Sequence, residues 1–449
     1  MDWLLDRFRE FGDHHAIGGR GGLYTYRELE SRVGEYIKEV SKKIEKGAVA
    51  AIVSDYSFDS ISLLLALAAN KNIVVPIVAG TEEETSARLE ESFVDVVAVP
   101  EGGAIRIEKR NSFKEKHALI EELRSGGHSG LVLFSSGSAG KPKAMLHDFD
   151  RYADSFREKK IKKSLRMLVF LMFDHMGGIN TLFTALSRGA TMFILDSRDP
   201  DEICAIMEKE KINVLPVSPT FLNMILISEA YKKHDLGALQ TITYGTEVMP
   251  EPLLKRLNRA FPNVRFSQMF GTSETGILHT VSKSSASAFM KIDDPARKYK
   301  IVDGELWIRS STQALGYLNA GMESFTKDGW FKTGDLVETE EDGYLRIVGR
   351  NSETINVGGE KVLPGEVESV LLEMGEVKDC VVYSQPNALT GNAVTADVVL
   401  EEGVSADSIR SLVRKYCRAK LAPYKVPARV NVVSATGFGG RFKKTRKGA

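Results

Sequence analysis

Apolar runs alternate with amphipathic helical stretches from about residue 22 to residue 230. Residues 26–40 predict a helix, because Leu29, Val33, Tyr36 and Val40 fall on one stripe. Wholly apolar runs flanked by helices are typical of parallel strands covered on both faces. The pattern therefore predicts an α/β layered body. The runs are AAIVS, NIVVPIV, DVVAV, LVLFSS, MLVFLMF, TMFIL and NVLPVS.

The pattern changes after residue 290, where apolar and polar residues alternate. Residues 300–308 and 344–348 show this alternation, which is typical of antiparallel strands with one buried face. Asp-Gly pairs, which favour tight hairpin turns, occur at positions 303–304, 328–329 and 342–343. The segment is therefore predicted to form a small β-barrel or sheet.

A third pattern begins beyond Arg350. Helical periodicity covers residues 364–374 and 406–421, and strand patterns cover residues 377–384, 393–401 and 429–434. This segment of about a hundred residues has the size of a small domain. The predicted fold class is α/β, with a large N-terminal body of two α/β subdomains plus a small β subdomain, and a C-terminal α+β domain. We place the two domains at residues 1–350 and 351–449.

Charge and cysteine content restrict the classes of function. The 449 residues carry 60 Lys and Arg against 60 Asp and Glu, so the net field favours neither nucleic acid nor a membrane. Cys204, Cys380 and Cys417 contain no CxxC pair, and we expect buried thiols in a reducing compartment. The charged N-terminus does not resemble a signal peptide, and the apolar stretches are too short for a bilayer. We expect a cytoplasmic protein without nucleic-acid or membrane partners.

The loop from Ser135 to Lys143 is the first candidate for chemistry. It follows the apolar run LVLF and reads SSGSAGKPK. Hydroxyls and backbone N–H groups in such loops bind phosphate oxygens, and a lysine neutralises their charge. The loop is not a Walker A sequence, because Gly137 and Gly140 are too close together and Pro142 stands where that motif has Ser or Thr. Alone, the loop indicates either phosphate binding or a flexible surface segment.

With five further motifs, this loop resembles the adenylate-forming superfamily of acyl-CoA synthetases, peptide-synthetase adenylation domains and luciferases. The motifs occur in the order that the family shows, from about residue 25 to the end. The resemblance is to acyl-CoA ligase-like members, and it implies that the C-terminal domain is mobile and swings between two half-reactions. The motifs are SSGSAGKPKA, MFGTSETG, GWFKTGDL, DGYLRIVGR, INVGGEKVLPGEVE and LAPYKVPARV.

The resemblance implies an ATP site. Glu274 takes the family's Mg²⁺ position, Asp335 the position that binds the ribose hydroxyls, and Arg350 that of the contacting arginine. Phe270 stands where an aromatic ring commonly stacks on adenine, and Ser273 keeps the hydroxyl of the usual Thr. The nucleotide-binding candidates are Ser135, Ser136, Gly137, Ser138, Lys143, Gly245, Thr246, Glu247, Phe270, Gly271, Thr272, Ser273, Asp335 and Arg350.

The acid-binding candidates surround FDHMGG. His175 is either structural or, by resemblance, the aromatic gate between acid and nucleotide. Met176 stands where amino-acid-activating members have an Asp that pairs with the substrate's ammonium, a role that a thioether cannot take. In a strand, Asp174 would share the face of Met176, so the inference depends on register. We expect an acid without an α-amino group. The pocket candidates are His175, Met176, Gly177, Phe221 and Gly271.

The tail ATGFGGRFKKTRKGA contains the candidate catalytic lysine. By resemblance, a lysine near the C-terminus contacts the carboxylate and the α-phosphate. Ungapped spacing from YKVP places Lys443 there and Phe442 in place of the usual Gly, with Lys444 as the competing lysine. A solvated basic end is the alternative interpretation of the tail.

The segment after Arg350 carries the remaining candidates. Ser352 falls at the predicted hinge. By resemblance, Gly358 and Gly359 line a tunnel for the pantetheine arm of CoA, because glycine has no side chain to block it; a plain tight turn is the alternative.

The implied activity is activation of a carboxylic acid with ATP and Mg²⁺ to acyl-AMP and pyrophosphate, followed by transfer to CoA. A carrier-protein phosphopantetheine and an amine are alternative acceptors. A catalytically degraded nucleotide-binding homologue is a further alternative, suggested by Phe442 and the irregular tail. Compact size makes the o-succinylbenzoate–CoA ligases one candidate class. The catalytic candidates are Lys443, Glu274 and His175.

Overall fold

Parallel strands under helices form the first α/β subdomain. The structure, a computed structural model, describes residues 1–19, 21–78, 80–110, 115–135, 142–439 and 442–446. Capping boxes at Thr25 and Ser57 start two of its helices. The elements up to residue 154 are α1 (Asp2–Phe11), β1 (His15–Gly19), β2 (Gly22–Thr25), α2 (Tyr26–Lys43), β3 (Val49–Val53), α3 (Phe58–Ala69), β4 (Ile73–Ile77), α4 (Glu82–Glu91), β5 (Val96–Glu101), β6 (Ala104–Lys109), α5 (Ala118–Ser125), β7 (Gly130–Ser135), β8 (Lys143–Asp148) and α6 (Phe149–Asp154).

The second α/β subdomain repeats this architecture. The predicted strand over MLVFLMF is shorter than expected, because the chain turns after Val169 to start a helix at Met176. Its elements are β9 (Arg166–Val169), α7 (Met176–Arg188), β10 (Thr191–Ile194), α8 (Pro200–Lys209), β11 (Val214–Val217), α9 (Pro219–Ile227), α10 (Ala230–Lys233), β12 (Thr241–Tyr244), α11 (Glu251–Ala260) and β13 (Arg265–Gln268).

The strands of the β subdomain segment begin at Phe270, earlier than the predicted change after residue 290, and one of them, β20 (Gly316–Tyr317), pairs with β8 of the first subdomain. Asp303 and Gly304, with φ of 52° and 80°, form the turn of a hairpin. Its strands are β14 (Phe270–Thr272), β15 (Gly276–Leu278), β16 (Thr280–Ser282), β17 (Met290–Ile292), β18 (Arg297–Val302), β19 (Glu305–Ser310), β20 (Gly316–Tyr317), β21 (Phe331–Thr339) and β22 (Leu345–Arg350).

Within the described residues, the body contains two seven-stranded sheets and one six-stranded sheet. The first sheet has the order β20-β8-β7-β4-β3-β5-β6, the second β13-β12-β11-β9-β10-β1-β2, and the third β16-β17-β22-β21-β19-β18. The pairs among β3, β4, β5 and β7, and those among β9 to β13, are parallel, which confirms the α/β prediction. The third sheet is antiparallel, as its alternating pattern predicts.

The C-terminal domain packs two helices against its own sheet around a separate apolar core. A start at residue 351 stays a prediction. Cys204, Cys380 and Cys417 are buried free thiols, as expected. In the described part of the chain no helix is long and apolar enough to cross a membrane. The elements are β23 (Ile355–Val357), β24 (Glu360–Val362), α12 (Pro364–Leu371), β25 (Val377–Asn387), β26 (Gly391–Leu400), α13 (Ala406–Lys420) and β27 (Arg429–Val432).

Candidate active site

A cavity of about 690 Å³ receives side chains from both α/β subdomains, the β subdomain and the tail. This volume is typical of sites for small-molecule ligands. Fourteen candidates from distant motifs thus meet around one space. They are Ser135, Lys143, His175, Met176, Gly177, Gly245, Thr246, Gly271, Thr272, Ser273, Glu274, Arg350, Ser352 and Lys443.

The two ends of the predicted phosphate loop lie side by side. Ser135 ends β7 and Lys143 begins β8, and these two residues are direct antiparallel partners. The ammonium of Lys143 lies 5.1 Å from the ring centroid of Tyr317, a cation–π distance. The predicted phosphate ligands Ser136, Gly137 and Ser138 lie outside the described residues.

Glu274 lines the cavity beside Tyr317, the residue whose ring Lys143 contacts. The phenol of Tyr317 donates a hydrogen bond of 2.9 Å to Glu274 Oε1. Burial and the charge of Glu274 raise the pKa of Tyr317 above its usual value, so the phenol keeps its proton. Mg²⁺ in nucleotide sites commonly binds one or two carboxylates together with phosphate oxygens. One oriented carboxylate on the cavity wall fits such an ion, so Glu274 would hold it.

The ribose candidates form an ion pair in which Asp335 is buried and Arg350 is half exposed. Asp335 in β21 stands opposite Arg350 in β22, and Arg350 Nε donates to Asp335 Oδ1 at 2.8 Å. Burial raises the pKa of Asp335, while Arg350 and Lys443 act to lower it. Arg350 lines the cavity, and Asp335 lies behind it with 4% of its surface exposed. The pair is therefore positioned at the cavity wall by strand register.

The structure separates the two candidate lysines. Lys444 Nζ donates to Asp379 Oδ1 at 3.0 Å and to the carbonyl oxygen of Cys380 at 2.6 Å, within the C-terminal domain. Lys443 lines the cavity, where its charge acts on Asp335. The structure thus brings Lys443, and not Lys444, to the site.

Phe442 seats the tail against the body. Its ring centroid lies 5.3 Å from that of Phe170 and 5.4 Å from that of Phe221. Its carbonyl oxygen accepts a hydrogen bond of 2.8 Å from Ser218 Oγ. Phe442 adopts φ of 51°, in the region that favours glycine, so its aromatic contacts accompany a strained backbone.

His175 is fixed at the start of α7. It is the N-cap residue, and its Nδ1 accepts a hydrogen bond of 3.1 Å from the N–H of Gly177. This acceptor role places the proton of a neutral ring on Nε2. A Cβ on the neighbouring Gly178 would lie 2.0 Å from the carbonyl oxygen of Met172, so only glycine permits this turn. The imidazole is thereby held on the cavity wall.

Asp174 and Met176 lie in different surroundings, the first in an ion pair and the second on the cavity wall. Asp174 Oδ2 accepts from Arg88 Nη1 at 3.1 Å, and the aspartate is 2% exposed. Asp174 lies in a turn rather than a strand, whereas Met176 begins the helix and lines the cavity. The cavity therefore receives the thioether and not the carboxylate.

Besides Asp335, five described candidates do not line the cavity. Glu247 accepts from the N–H of Thr220 at 2.7 Å. Phe221 is wholly buried beside Phe170, and Phe270 packs in the core of the β subdomain, so its stacking on adenine stays a prediction. Gly358 and Gly359, with φ of 61° and 96°, form the turn between β23 and β24. That turn alone accounts for both glycines, and the CoA tunnel stays a prediction.

Tyr317 and Arg188 are among the cavity-wall residues that sequence reasoning missed. Tyr317 reaches the site because β20 pairs with β8 across some 170 residues of chain. Arg188 reaches the cavity because it is the last residue of α7, the helix that His175 caps. The helical stripe of α7 was the available signal for Arg188, whereas no local pattern indicated the pairing of β20.

Comparison with known proteins agrees with this geometry. The profile of the family described as AMP-binding enzyme matches residues 4–318, and that of the AMP-binding enzyme C-terminal domain matches residues 366–449. An indoleacetate–CoA ligase of Aromatoleum aromaticum is 29% identical over 67% of this chain and 62% of its own length. A 2-succinylbenzoate–CoA ligase of Enterococcus faecalis is 24% identical over 96% of this chain and 94% of its own length. The crystal structure of the anthranilate CoA ligase AuaEII with anthranoyl-AMP superposes with a TM-score of 0.83, at 19% identity, over 99% of this chain and 95% of that one.

Proposed function

This chain belongs to the AMP-binding enzyme family, and on that premise we propose that it is an ATP-dependent acid–CoA ligase. In the first step, an oxygen of the acid's carboxylate attacks the α-phosphorus of ATP, and the bond to the bridging oxygen of the departing pyrophosphate breaks. In the second step, the thiolate of CoA attacks the acyl carbonyl carbon, and AMP leaves. Catalysis of such a phosphoryl substitution depends on alignment and neutralisation of charge.

The observation that carries the proposal is the position of Lys443. Lys443 lines the same cavity as Arg350 and Glu274. Two anionic groups must approach each other during the attack, so cations at that point lower the barrier. Lys443 is proposed to contact the carboxylate and the α-phosphate, and Lys143 the phosphates that leave. Mg²⁺, held by Glu274, would neutralise phosphate charge when bound.

The acid is proposed to lack an α-amino group. Met176 stands where amino-acid-activating relatives have the Asp that pairs with the ammonium, and it lines the cavity. Asp174 forms an ion pair with Arg88. An ammonium placed against the thioether would lose its hydration without gaining a partner, which is costly. The names of the relatives, which include ligases of indoleacetate and of 2-succinylbenzoate, support an acid of this kind.

CoA is the proposed acceptor because the relatives above are all CoA ligases. Carrier-protein phosphopantetheine presents the same thiol, and an amine would give an amide instead. A degraded nucleotide-binding homologue would have no reason to keep Lys443 on the cavity wall while Lys444 is tied to Asp379. The arrangement of the tail therefore favours an active enzyme.

The test is analysis of products. The protein is incubated with ATP, Mg²⁺, CoA and a panel of aromatic, short-chain and medium-chain acids that includes 2-succinylbenzoate and indoleacetate. Acyl-CoA, AMP and pyrophosphate are then quantified by mass spectrometry, with an acyl carrier protein and an amine in parallel reactions. The proposal predicts equal amounts of thioester and AMP with CoA. AMP formation without thioester, together with product on the carrier protein or the amine, would contradict CoA as the acceptor.

A further inference from the structure

The cavity has an inner arm that the adenylation chemistry does not explain. Its lining residues follow α7 to the starts of β9, β11 and β12. Its far end is formed by residues from the last turns of α7 and from the first positions of these strands. They are Leu165, Met167, Thr184, Arg188, Val214 and Thr241.

Arg188 places a positive charge at the far end of this arm. Its Nε is enclosed by protein, and among the described residues its guanidinium has no hydrogen-bond or ion-pair partner. The position at the end of a helix favours a cation in general, but it supplies no acceptor for these N–H groups. A buried donor without an acceptor is costly, so the site is built for an acceptor that the protein itself does not provide.

Lys159 adds to the positive charge near Arg188. Burial and repulsion by Arg188 lower the pKa of Lys159. Asp294, which attracts Lys159, is itself paired with Arg297. The carboxylates on the described cavity wall are Glu274, Glu305 and Glu323, and none of them belongs to the elements of the inner arm. The inner arm is therefore electrostatically suited to an anion.

The walls of the arm are mixed, with four polar side chains beside the apolar Leu165, Met167 and Val214. Asn180, Thr184, Thr241 and Thr243 line it, and in the described structure their side chains have no hydrogen-bond partner. A fatty acyl tail would bury these groups without compensation. A substrate with a polar or charged far end would satisfy them.

The helix sets the length of the required acid. Side chains on a helix lean towards its N-terminus, so the guanidinium of Arg188 covers the turn near Thr184. Thr184 lies eight residues beyond Met176, a rise of about 12 Å along α7. The second group of the acid therefore lies about 12 Å from the end of the cavity where the reacting carboxylate is expected.

We propose that the inner arm binds a second carboxylate, so that the substrate is a dicarboxylic acid of medium length whose far carboxylate pairs with Arg188. This proposal rests on the proposed ligase function and specifies its substrate class. The planar guanidinium offers paired N–H donors that match a carboxylate in a bidentate contact. One carboxylate is adenylated near Lys443, while the other stays ionised at Arg188.

The first test compares acids that differ only in the far group. Acid-dependent exchange of pyrophosphate into ATP is measured with adipate, suberate and sebacate against hexanoate, octanoate and decanoate. Phenylpropionate and its para-carboxy derivative provide an aromatic pair. We expect kcat/KM to be about ten- to a hundredfold higher for the best dicarboxylate than for its monocarboxylate partner, as for one charge-assisted contact. Robust exchange with monocarboxylates and no preference for dicarboxylates would overturn this inference while leaving the ligase function intact. If none of the acids supported exchange, the ligase function itself would be contradicted.

The second test removes or reverses the positive charge at position 188. Arg188→Met is expected to remove the preference for the dicarboxylate, raising its KM while improving use of the monocarboxylate. Arg188→Glu is expected to accept an ω-amino acid of the same length. Arg410→Met, a change at an exposed arginine of the C-terminal domain, is the matched control and should leave both values unchanged. An equal loss for both substrates in Arg188→Met, with unchanged selectivity, would show that Arg188 is only structural.

Discussion

The ammonium of Lys444 donates a hydrogen bond of 3.0 Å to Asp379 Oδ1. Both side chains are largely buried, with 11% and 8% of their surfaces exposed. Removal of one partner of such a pair leaves an uncompensated charge and commonly costs about 3–5 kcal/mol. Lys444→Met is therefore expected to lower the free energy of unfolding of the C-terminal domain by about 3 kcal/mol, as measured by urea denaturation.

The control for this substitution is Lys415→Met on the exposed face of α13, which should change stability by less than about 0.5 kcal/mol. If Lys444→Met were as stable as the wild type but could not form acyl-AMP, the assignment of the two lysines would have to be exchanged.

Phe442 is expected to favour the conformation that makes acyl-AMP. Its ring packs against Phe170 and Phe221 of the body, and each aromatic contact contributes about 0.5–1.5 kcal/mol. Phe442→Ala should therefore slow acyl-AMP formation about tenfold, while thioester formation from supplied acyl-AMP is unchanged or faster. Single-turnover kinetics of the two half-reactions measure this difference.

Phe438→Ala is the matched control for Phe442. Phe438 stacks on Phe442 but is 42% exposed and makes no ring contact with the body in the described structure. Phe438→Ala should slow acyl-AMP formation less than Phe442→Ala does. Equal slowing of both half-reactions by Phe442→Ala would show that the ring stabilises the fold and does not select a conformation.

Tyr317 positions the carboxylate that is proposed to hold Mg²⁺. Tyr317→Phe removes the hydrogen bond to Glu274 Oε1 and keeps the ring beneath Lys143. Such partners of metal ligands commonly affect metal affinity by about 10- to 100-fold. The Mg²⁺ concentration that gives half-maximal pyrophosphate exchange should rise by about that factor, and activity should recover at high Mg²⁺. A loss that Mg²⁺ does not rescue would argue against this role.

The strands of the body were predictable from the sequence, whereas the position of Tyr317 was not. The runs that became β3, β4, β7 and β10 were predictable, because burial on both faces leaves an uninterrupted apolar pattern. The pairing of Tyr317 with β8 was not, because it is a contact between distant segments. The role of Glu247 in accepting from Thr220, away from the cavity, depends equally on tertiary packing. Local motifs therefore pointed to most of the described nucleotide-binding candidates that line the cavity, whereas the inner arm required the structure.

His147 makes stability depend on pH. It is fully buried in β8, and burial lowers its pKa from about 6.5 to about 4, with partial opposition from the backbone near Ser273 and Thr312. Between these values the unfolded chain binds a proton that the folded protein excludes, so stability falls as the pH decreases through this window. From pH 7 to pH 5 the loss attributable to His147 is about 2 kcal/mol.

The corresponding experiment is urea denaturation of the wild type and of His147→Gln at both pH values. The variant should lose about 2 kcal/mol less than the wild type between pH 7 and pH 5. An identical pH dependence in the two proteins would show that His147 does not titrate in this interval.

Acid-dependent exchange of labelled pyrophosphate into ATP reports acyl-AMP formation directly, without any acceptor. We expect exchange by the wild type with at least one acid of the panel, and a loss of at least about a hundredfold in Lys443→Ala, the range for removal of one preorganised stabilising group. The Lys443→Ala variant should still convert supplied acyl-AMP and CoA into the thioester, which shows that it is folded. No exchange by the wild type across the whole panel, or full exchange by Lys443→Ala, would contradict the proposed adenylation at this site.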